Sequence, residues 1–147
     1  MKILSMISIL ICSLGLVFST ENYSSNLIKA ASDKDVCSIM LQQLEKTNKT
    51  NLEMAYAGYY HCIWAKHAFN PMAKLSSFKK GRKLLDEAAE KEPKAVEIRL
   101  LRYAIQYNSP SFLGYKSSLT KDLEYVKQHK TNIKDKSLRI FLEKQGI

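Results

Sequence analysis

The chain has 147 residues and a formal net charge of +9, and 46% of its residues are hydrophobic. This length allows one domain with a real core and excludes two. The basic excess favours anionic partners such as lipid head groups or acidic glycans, with solubility as the simpler explanation.

The first residues, MKILSMISILICSLGLVFST, predict a cleaved signal peptide. Lys2 supplies a positive start, residues 3–18 carry no charge, and VFS provides small or tolerated residues before a cut after Ser19. A permanent anchor is the alternative, but the run is shorter than the roughly 20 apolar residues of a spanning helix. We therefore expect a signal peptide over 1–19 that packs little against the rest, and an exported chain, periplasmic or secreted. Nucleic acid is not an expected partner there.

Helical patterns follow in chain order. After a short helix near residues 23–30, Ser32 is expected to cap a helix with an apolar stripe. Thr50 and Glu53 form a capping box, and the helix that they begin is apolar on nearly all sides, which is typical of the middle of a bundle. Gly58 in this helix costs about 1 kcal/mol relative to Ala, so it predicts close approach of another helix.

Further helices complete the chain. Asn70 and Pro71 predict the start of an amphipathic helix that ends before Pro93. The later helices are expected over residues 95–107, 120–130 and 135–145, the last followed by a Gly146 cap. No stretch alternates with period two. The prediction is an all-α fold, a bundle or short solenoid of antiparallel helical hairpins with about six to seven helices, preceded by a signal-peptide helix. Residues 20–147 would form a single helical domain.

The segment NSPSFLGYKSS interrupts two helices, and it has two interpretations. Pro110 and Gly114 predict an elbow that folds one helix back on another. Phe112 and Leu113 would then pack beneath the turn, while Tyr115 would be the exposed member. A ligand site is the alternative.

The sequence offers little support for catalysis or metal binding. There is no HExxH, CxxC or G-x-S-x-G motif, and His61 and His67 point about 120° apart around one helix. We therefore expect no metal site and no cofactor. A carboxylate pair formed in space stays open, with Glu97 as the acid of interest, although an ion pair with an arginine of another helix is the simpler role. Arg99 and Arg102 are expected to meet acidic residues of the preceding helix: Asp86, Glu87 or Glu90.

A basic run, FKKGRK, provides candidate contacts to a polyanion. Its cations are Lys79, Lys80, Arg82 and Lys83. A solvated helical face is the simpler interpretation, because Arg82–Asp86 and Lys83–Glu87 stand at the i,i+4 spacing of ion pairs.

Two cysteines remain after removal of the signal, Cys37 and Cys62. They would lie at the same level of a helical hairpin that turns near residue 49, and disulfides persist in exported proteins. The sequence is therefore compatible with a Cys37–Cys62 disulfide or with two free, buried thiols.

Two resemblances add to this interpretation. Gly81, Leu85, Ala88 and Pro93 match the spacing of the second helix of a tetratricopeptide repeat. More widely, AKHAFNPMAKLSSFKKGRKLLDEA, EIRLLRYAIQ and PSFLGY resemble a family of uncharacterised exported bacterial helical proteins. That resemblance implies a helical fold and export, and it transfers no catalytic residue.

The expected function is a non-enzymatic interaction module that binds a protein or peptide partner of the cell envelope in a groove between hairpins. Tyr59, Tyr60 and Tyr115 are the candidate groove aromatics. A basic binder of anionic lipid or glycan surfaces is the alternative, and a polymer hydrolase is a third hypothesis with no assignable residues. The oligomeric state does not follow from the sequence.

Overall fold

A computed structural model describes residues 22–147, and the predicted signal peptide lies outside this part of the chain. Every regular element within residues 22–147 is helical, which confirms the all-α prediction. After a helical turn at residues 22–25 come α1 (Leu27–Ala30), α2 (Lys34–Glu45), α3 (Asn51–His67), α4 (Pro71–Lys91), α5 (Val96–Asn108), a 3-10 turn (Ser111–Leu113), α6 (Leu119–His129), a second 3-10 turn (Lys130–Asn132) and α7 (Lys136–Lys144). None of the helices in this part of the chain has the length and apolar character needed to cross a membrane.

The helix ends follow local chemistry, with one correction. The Thr50 hydroxyl accepts a hydrogen bond from the Glu53 amide, and the Glu53 carboxylate accepts one from the Thr50 amide, which confirms the capping box. Asn70 caps α4 ahead of Pro71, as predicted. Ser32 was the wrong cap for α2. The cap is Asp33, one residue later, whose carboxylate accepts hydrogen bonds from the first amides of that helix. Its negative charge also interacts favourably with the positive end of the helix dipole.

Helix α3 is the centre of the fold, as its apolar character predicted. It contacts α1, α2, α4 and α5. Its tyrosines bury their rings and satisfy their hydroxyls inside the core: Tyr59 donates to the Leu27 carbonyl oxygen at 3.1 Å, and Tyr60 donates to that of Tyr23. The segment that precedes α2 is thereby attached to the central helix.

The contact between α3 and α4 is closest at two glycines. A Cβ added to Gly58 would lie 2.8 Å from the Gly81 carbonyl oxygen, and one added to Gly81 would lie 2.5 Å from that of Gly58. The prediction that Gly58 marks close approach of another helix is confirmed. The two helices run antiparallel, because Gly81 meets Gly58 while Phe78, earlier in α4, meets Cys62, later in α3.

Polar side chains join α5 to α6. Asp122 of α6 is completely buried, and its carboxylate accepts hydrogen bonds from Arg99, Arg102 and Gln106 of α5. The Ser118 amide donates to the Gln106 side chain, one turn before Asp122. These contacts place α6 antiparallel to α5 after the elbow.

The elbow is present, and Leu113 packs partly buried against the core as expected, but the burial of Tyr115 and Phe112 is the reverse of the expectation. Gly114 has φ 63°, a left-handed conformation that turns the chain after the 3-10 turn. Tyr115 is 1% exposed, because its ring packs edge-on against Phe78 and its hydroxyl donates to Asp86 at 2.9 Å. Phe112, expected beneath the turn, is 87% exposed.

Candidate binding groove

An open apolar groove of about 470 Å³ lies where the α3–α4 hairpin meets the elbow. Its volume falls within the roughly 300–1,000 Å³ of typical ligand clefts. The lining residues come from the end of α3, the start of α4, the end of α5 and the elbow: Cys62, Ile63, Ala65, Lys66, Pro71, Lys74, Leu75, Phe78, Ile105, Asn108, Ser109, Pro110, Phe112 and Leu113.

Local structure explains why the groove stays open. Ser109 adopts an extended backbone and Pro110 follows it, so α5 ends here and the chain turns aside instead of covering α4. Ile105 and Phe78 are buried, whereas Phe112 stands on the elbow as an exposed lining residue. The elbow that the sequence predicted therefore also supplies lining residues of the candidate groove.

The charges of the groove are all positive. Lys66 and Lys74 are its only charged lining residues, and neither takes part in the ion pairs formed within residues 22–147. Cys62 of α3 contacts Phe78 of α4. Lys66 and Lys74 each lie one helical turn from this contact, in the direction of the α3–α4 connection. The two lysines are thus level with each other across the hairpin.

No acidic residue is near in sequence to offset these lysines. The chain has no Asp or Glu between Glu53 and Asp86, and none between Glu97 and Asp122. Every lining residue of the groove belongs to one of these two stretches. An anionic group at the groove would therefore gain attraction without competition from carboxylates of the lining segments.

The predicted groove aromatics are elsewhere. Tyr59, Tyr60 and Tyr115 are buried core residues, and none of them lines the groove. Burial raises the pKa of all three hydroxyls. The sequence predicted that they line a groove, but each hydroxyl donates to an acceptor within the fold. Phe112, which had been assigned to the core, is the aromatic that lines the groove.

The basic run on α4 forms a separate face. Lys79, Lys80 and Lys83 are exposed, and the expected pairs are present, Arg82–Asp86 and Lys83–Glu87, each at 3.8 Å. None of the four basic residues lines the groove. The Arg82 guanidinium also lies over the Tyr115 ring, 4.8 Å from its centre. Acidic residues of the same helix therefore offset part of this positive charge, which agrees with the simpler interpretation of a solvated helical face.

The proposed disulfide is absent, and both cysteines are free and buried. The Cys37 thiol donates to the Tyr60 carbonyl oxygen, at the contact between α2 and α3. The Cys62 thiol faces α4 and donates to the Phe78 carbonyl oxygen. The Cys37 thiol therefore points from α2 toward α3, whereas the Cys62 thiol points from α3 toward α4. Of the two alternatives left open by the sequence, the structure has the pair of buried thiols.

The main buried ionic contact was missed from the sequence. Arg102 does meet Asp86, at 3.5 Å, as expected, but its closer partner is Asp122, whose carboxylate accepts two hydrogen bonds from it at 2.7 and 2.8 Å. Arg99 contacts Asp122 at 3.2 Å. Glu97 does not form an ion pair within the described chain, so its predicted arginine partner was wrong. Periodicity placed Asp122 on a helix without showing which helix it would face.

The surroundings of the His61 ring disfavour its charged form. Burial lowers its pKa to about 4, and Lys80 and Lys49 lower it further, whereas Glu45 opposes them. The ring is therefore neutral near pH 7. Among residues 22–147, no three His, Cys, Asp or Glu side chains come together in a way that would hold a metal ion.

Comparison of the chain with protein-family models, with curated proteins and with solved structures found no match in any of the three. The resemblances to tetratricopeptide hairpins and to exported helical proteins remain predictions. The case for function therefore depends on the groove and its surroundings.

Proposed function

We propose that the chain is an exported, non-enzymatic interaction module that binds a protein or peptide partner of the cell envelope. The observation that carries this proposal is the open apolar groove beside the elbow. A peptide with apolar side chains at helical spacing would bury them against Leu75, Phe112 and Leu113. The groove has no carboxylate or histidine in its lining, which supports binding over acid–base catalysis.

The chemistry of the partner follows from the two lysines. Lys66 and Lys74 lie level across the hairpin and have no acidic neighbour in the lining segments. Such like charges favour a ligand that places a carboxylate between them. We therefore expect the partner segment to be amphipathic, with an apolar face and at least one acidic side chain close to it.

The architecture proposed from the sequence is compatible with this role. The α3–α4 and α5–α6 pairs are antiparallel, and the groove lies where the first pair meets the elbow of the second. Stacked helical hairpins commonly bind extended partners along such surfaces. A short solenoid related to tetratricopeptide repeats, preceded by a signal peptide, remains our proposal for the whole chain.

Site-specific cross-linking in the producing cell tests the proposal. A photoreactive phenylalanine analogue at Phe112 replaces one exposed aromatic side chain by another, and the same analogue at the exposed Ile39 of α2 is the control. We expect one protein partner to be captured from position 112 and not from position 39. Leu75→Asp should abolish the capture, because it places a carboxylate on the apolar wall. Equal labelling from both positions would contradict a groove-specific partner.

The second candidate function is binding to an anionic envelope surface. It is favoured by the absence of acidic residues from both groove-lining stretches, together with exposed apolar side chains at the same end of the α3–α4 hairpin. Association of this kind should weaken as ionic strength rises, whereas binding in an apolar groove should depend on salt much less.

A further inference from the structure

Three large apolar side chains are far more exposed than any others in residues 22–147. Phe69 is 100% exposed, Phe112 is 87% exposed and Met72 is 80% exposed. Phe69 and Met72 do not line the groove, so a ligand held there would leave them in water. Single exposed apolar residues need no explanation, but a cluster of the most exposed ones indicates an interaction surface.

The three side chains belong to two segments that adjoin the groove. Phe69 lies in the connection between α3 and α4, and Met72 is in the first turn of α4. Pro71, next to Met72, lines the same groove as Phe112. We call Phe69, Met72 and Phe112 the hairpin corner.

Two lysines of the groove lie next to the hairpin corner in the chain. Lys66 lies one turn before it on α3, and Lys74 lies within the first turn of α4. All five residues belong to the two stretches of chain that have no Asp or Glu. A partner that covers the hairpin corner must offer apolar groups to it and negative charge to the lysines.

An anionic lipid bilayer offers both apolar groups and negative charge, with the negative charge outside the apolar layer. Its acyl chains accept apolar side chains, and its phosphate groups lie just outside them. Lysine side chains reach such phosphates while their aliphatic stems stay in apolar surroundings. A second copy of this chain fits less well, because Lys66 and Lys74 of one copy would have to meet the same lysines of the other.

We propose that the hairpin corner inserts into the interface of an anionic bilayer, with Lys66 and Lys74 against the lipid phosphates. This membrane site develops the second candidate function and does not depend on a peptide in the groove. Since the groove adjoins the corner, it would open at the membrane surface. A peptide bound there would come from a segment close to the membrane.

Co-sedimentation with protein-free vesicles tests the site separately from any groove partner. The protein is recovered from the producing cells, and its N terminus is determined by mass spectrometry. We expect binding to phosphatidylcholine vesicles that contain phosphatidylglycerol, little binding to phosphatidylcholine alone, and loss of binding at high salt. Affinity that is equal for both vesicles would overturn the proposal.

Matched variants identify the inserting residues. The double variant Phe69→Ser, Met72→Ser should bind anionic vesicles at least about tenfold more weakly, since burial of one large apolar side chain contributes about that factor. Ile39→Ser, which removes an exposed apolar residue from α2, should bind as the wild type does. Lys66→Gln and Lys74→Gln should each weaken binding about fivefold, while Lys46→Gln, near the other end of α3, should not.

A spectroscopic measurement shows whether the corner enters the lipid. Phe69→Trp should add emission that shifts to shorter wavelength on anionic vesicles, measured as the difference from the protein with Trp64 alone. No shift, or vesicle binding that survives the Phe69→Ser, Met72→Ser change, would place the contact elsewhere and end the proposal. A dimer in sedimentation that this double change dissociates would also overturn it, because a second copy would then be the occupant.

Discussion

The α3–α4 and α5–α6 pairs are both antiparallel, yet opposite kinds of contact hold them. Gly58 and Gly81 let two backbones meet without intervening side chains. In α5–α6, a buried carboxylate collects two arginines and a glutamine from the facing helix. The first contact depends on small size and tolerates no added atoms. The second depends on complete hydrogen bonding and tolerates no missing partner. The difference predicts opposite responses to substitution.

The largest effect is expected at the polar pair. Asp122→Ala removes the acceptor of Arg99, Arg102 and Gln106 and leaves guanidinium groups largely buried without their main counter-charge. We expect the free energy of unfolding to fall by about 3–5 kcal/mol, the range for breaking a buried pair by removal of one partner. Urea unfolding measures it. Glu124→Ala, an exposed change on the same helix, should stay within about 0.5 kcal/mol. If Asp122→Ala lost no more stability than Glu124→Ala, the polar contacts of Asp122 would not be what holds α6 to α5.

The glycine pair should respond to added atoms. Gly81→Ala brings a Cβ to 2.5 Å from both the Gly58 carbonyl oxygen and the Cys62 sulfur, so α4 must move away. Overpacking costs about 1–3 kcal/mol, and the gain in helix propensity of about 1 kcal/mol offsets only part of it. We expect a net loss of about 1–2 kcal/mol in a thermal or urea melt, and a smaller loss for Gly58→Ala. Ser76→Ala, exposed on α4, is the control. A glycine variant that melts above the wild type would refute the close contact.

Acid should weaken the α3–α4 pair through His61. Its pKa of about 4 in the folded protein is below the ordinary value of 6.5, so the unfolded chain binds more protons between these values. The contribution of neutral His61 to the free energy of unfolding is therefore fully present above pH 6.5, and it is lost as the pH falls toward 4. After solvent screening of the half-buried ring, this loss should amount to about 1 kcal/mol. His61→Gln should flatten the pH dependence between 6.5 and 4 relative to the wild type. If both proteins show the same slope, other groups are responsible.

The smallest effect is expected at the two buried thiols, Cys37 on α2 and Cys62 on α3. Burial raises the pKa of Cys37 to about 12 and that of Cys62 above its usual range, so both should react slowly in the folded protein. Unfolded, unreduced protein should show two thiols per chain if the signal peptide is removed, and a third from Cys12 if it is retained. If the unfolded chain without its signal peptide showed no free thiol, the Cys37–Cys62 disulfide would be the correct alternative.

The sequence by itself determined the helices and several of their ends. Caps such as Thr50 with Glu53 and Asn70 with Pro71 are local, since the groups that satisfy one another are three or fewer residues apart. The apolar surroundings of Gly58 were also sufficient to predict a close helix contact, because a glycine there has a cost that only packing offsets. Local interactions of this kind do not depend on which helices become neighbours.

The tertiary structure alone decided which side chains face water and which partners meet. Tyr115 and Phe112 are three residues apart on one elbow, and their burial is the reverse of the expectation, because the left-handed turn at Gly114 directs the first toward Asp86 and leaves the second exposed. Asp122 pairs with Arg102, which is 20 residues away in the sequence. A fully extended chain of that length would span roughly 66 Å, at about 3.3 Å per residue. Pattern and spacing describe a helix face, but the identity of the facing element is set by the packing of the whole chain. The groove, which is formed by four separate segments, follows from that packing and not from any one of them.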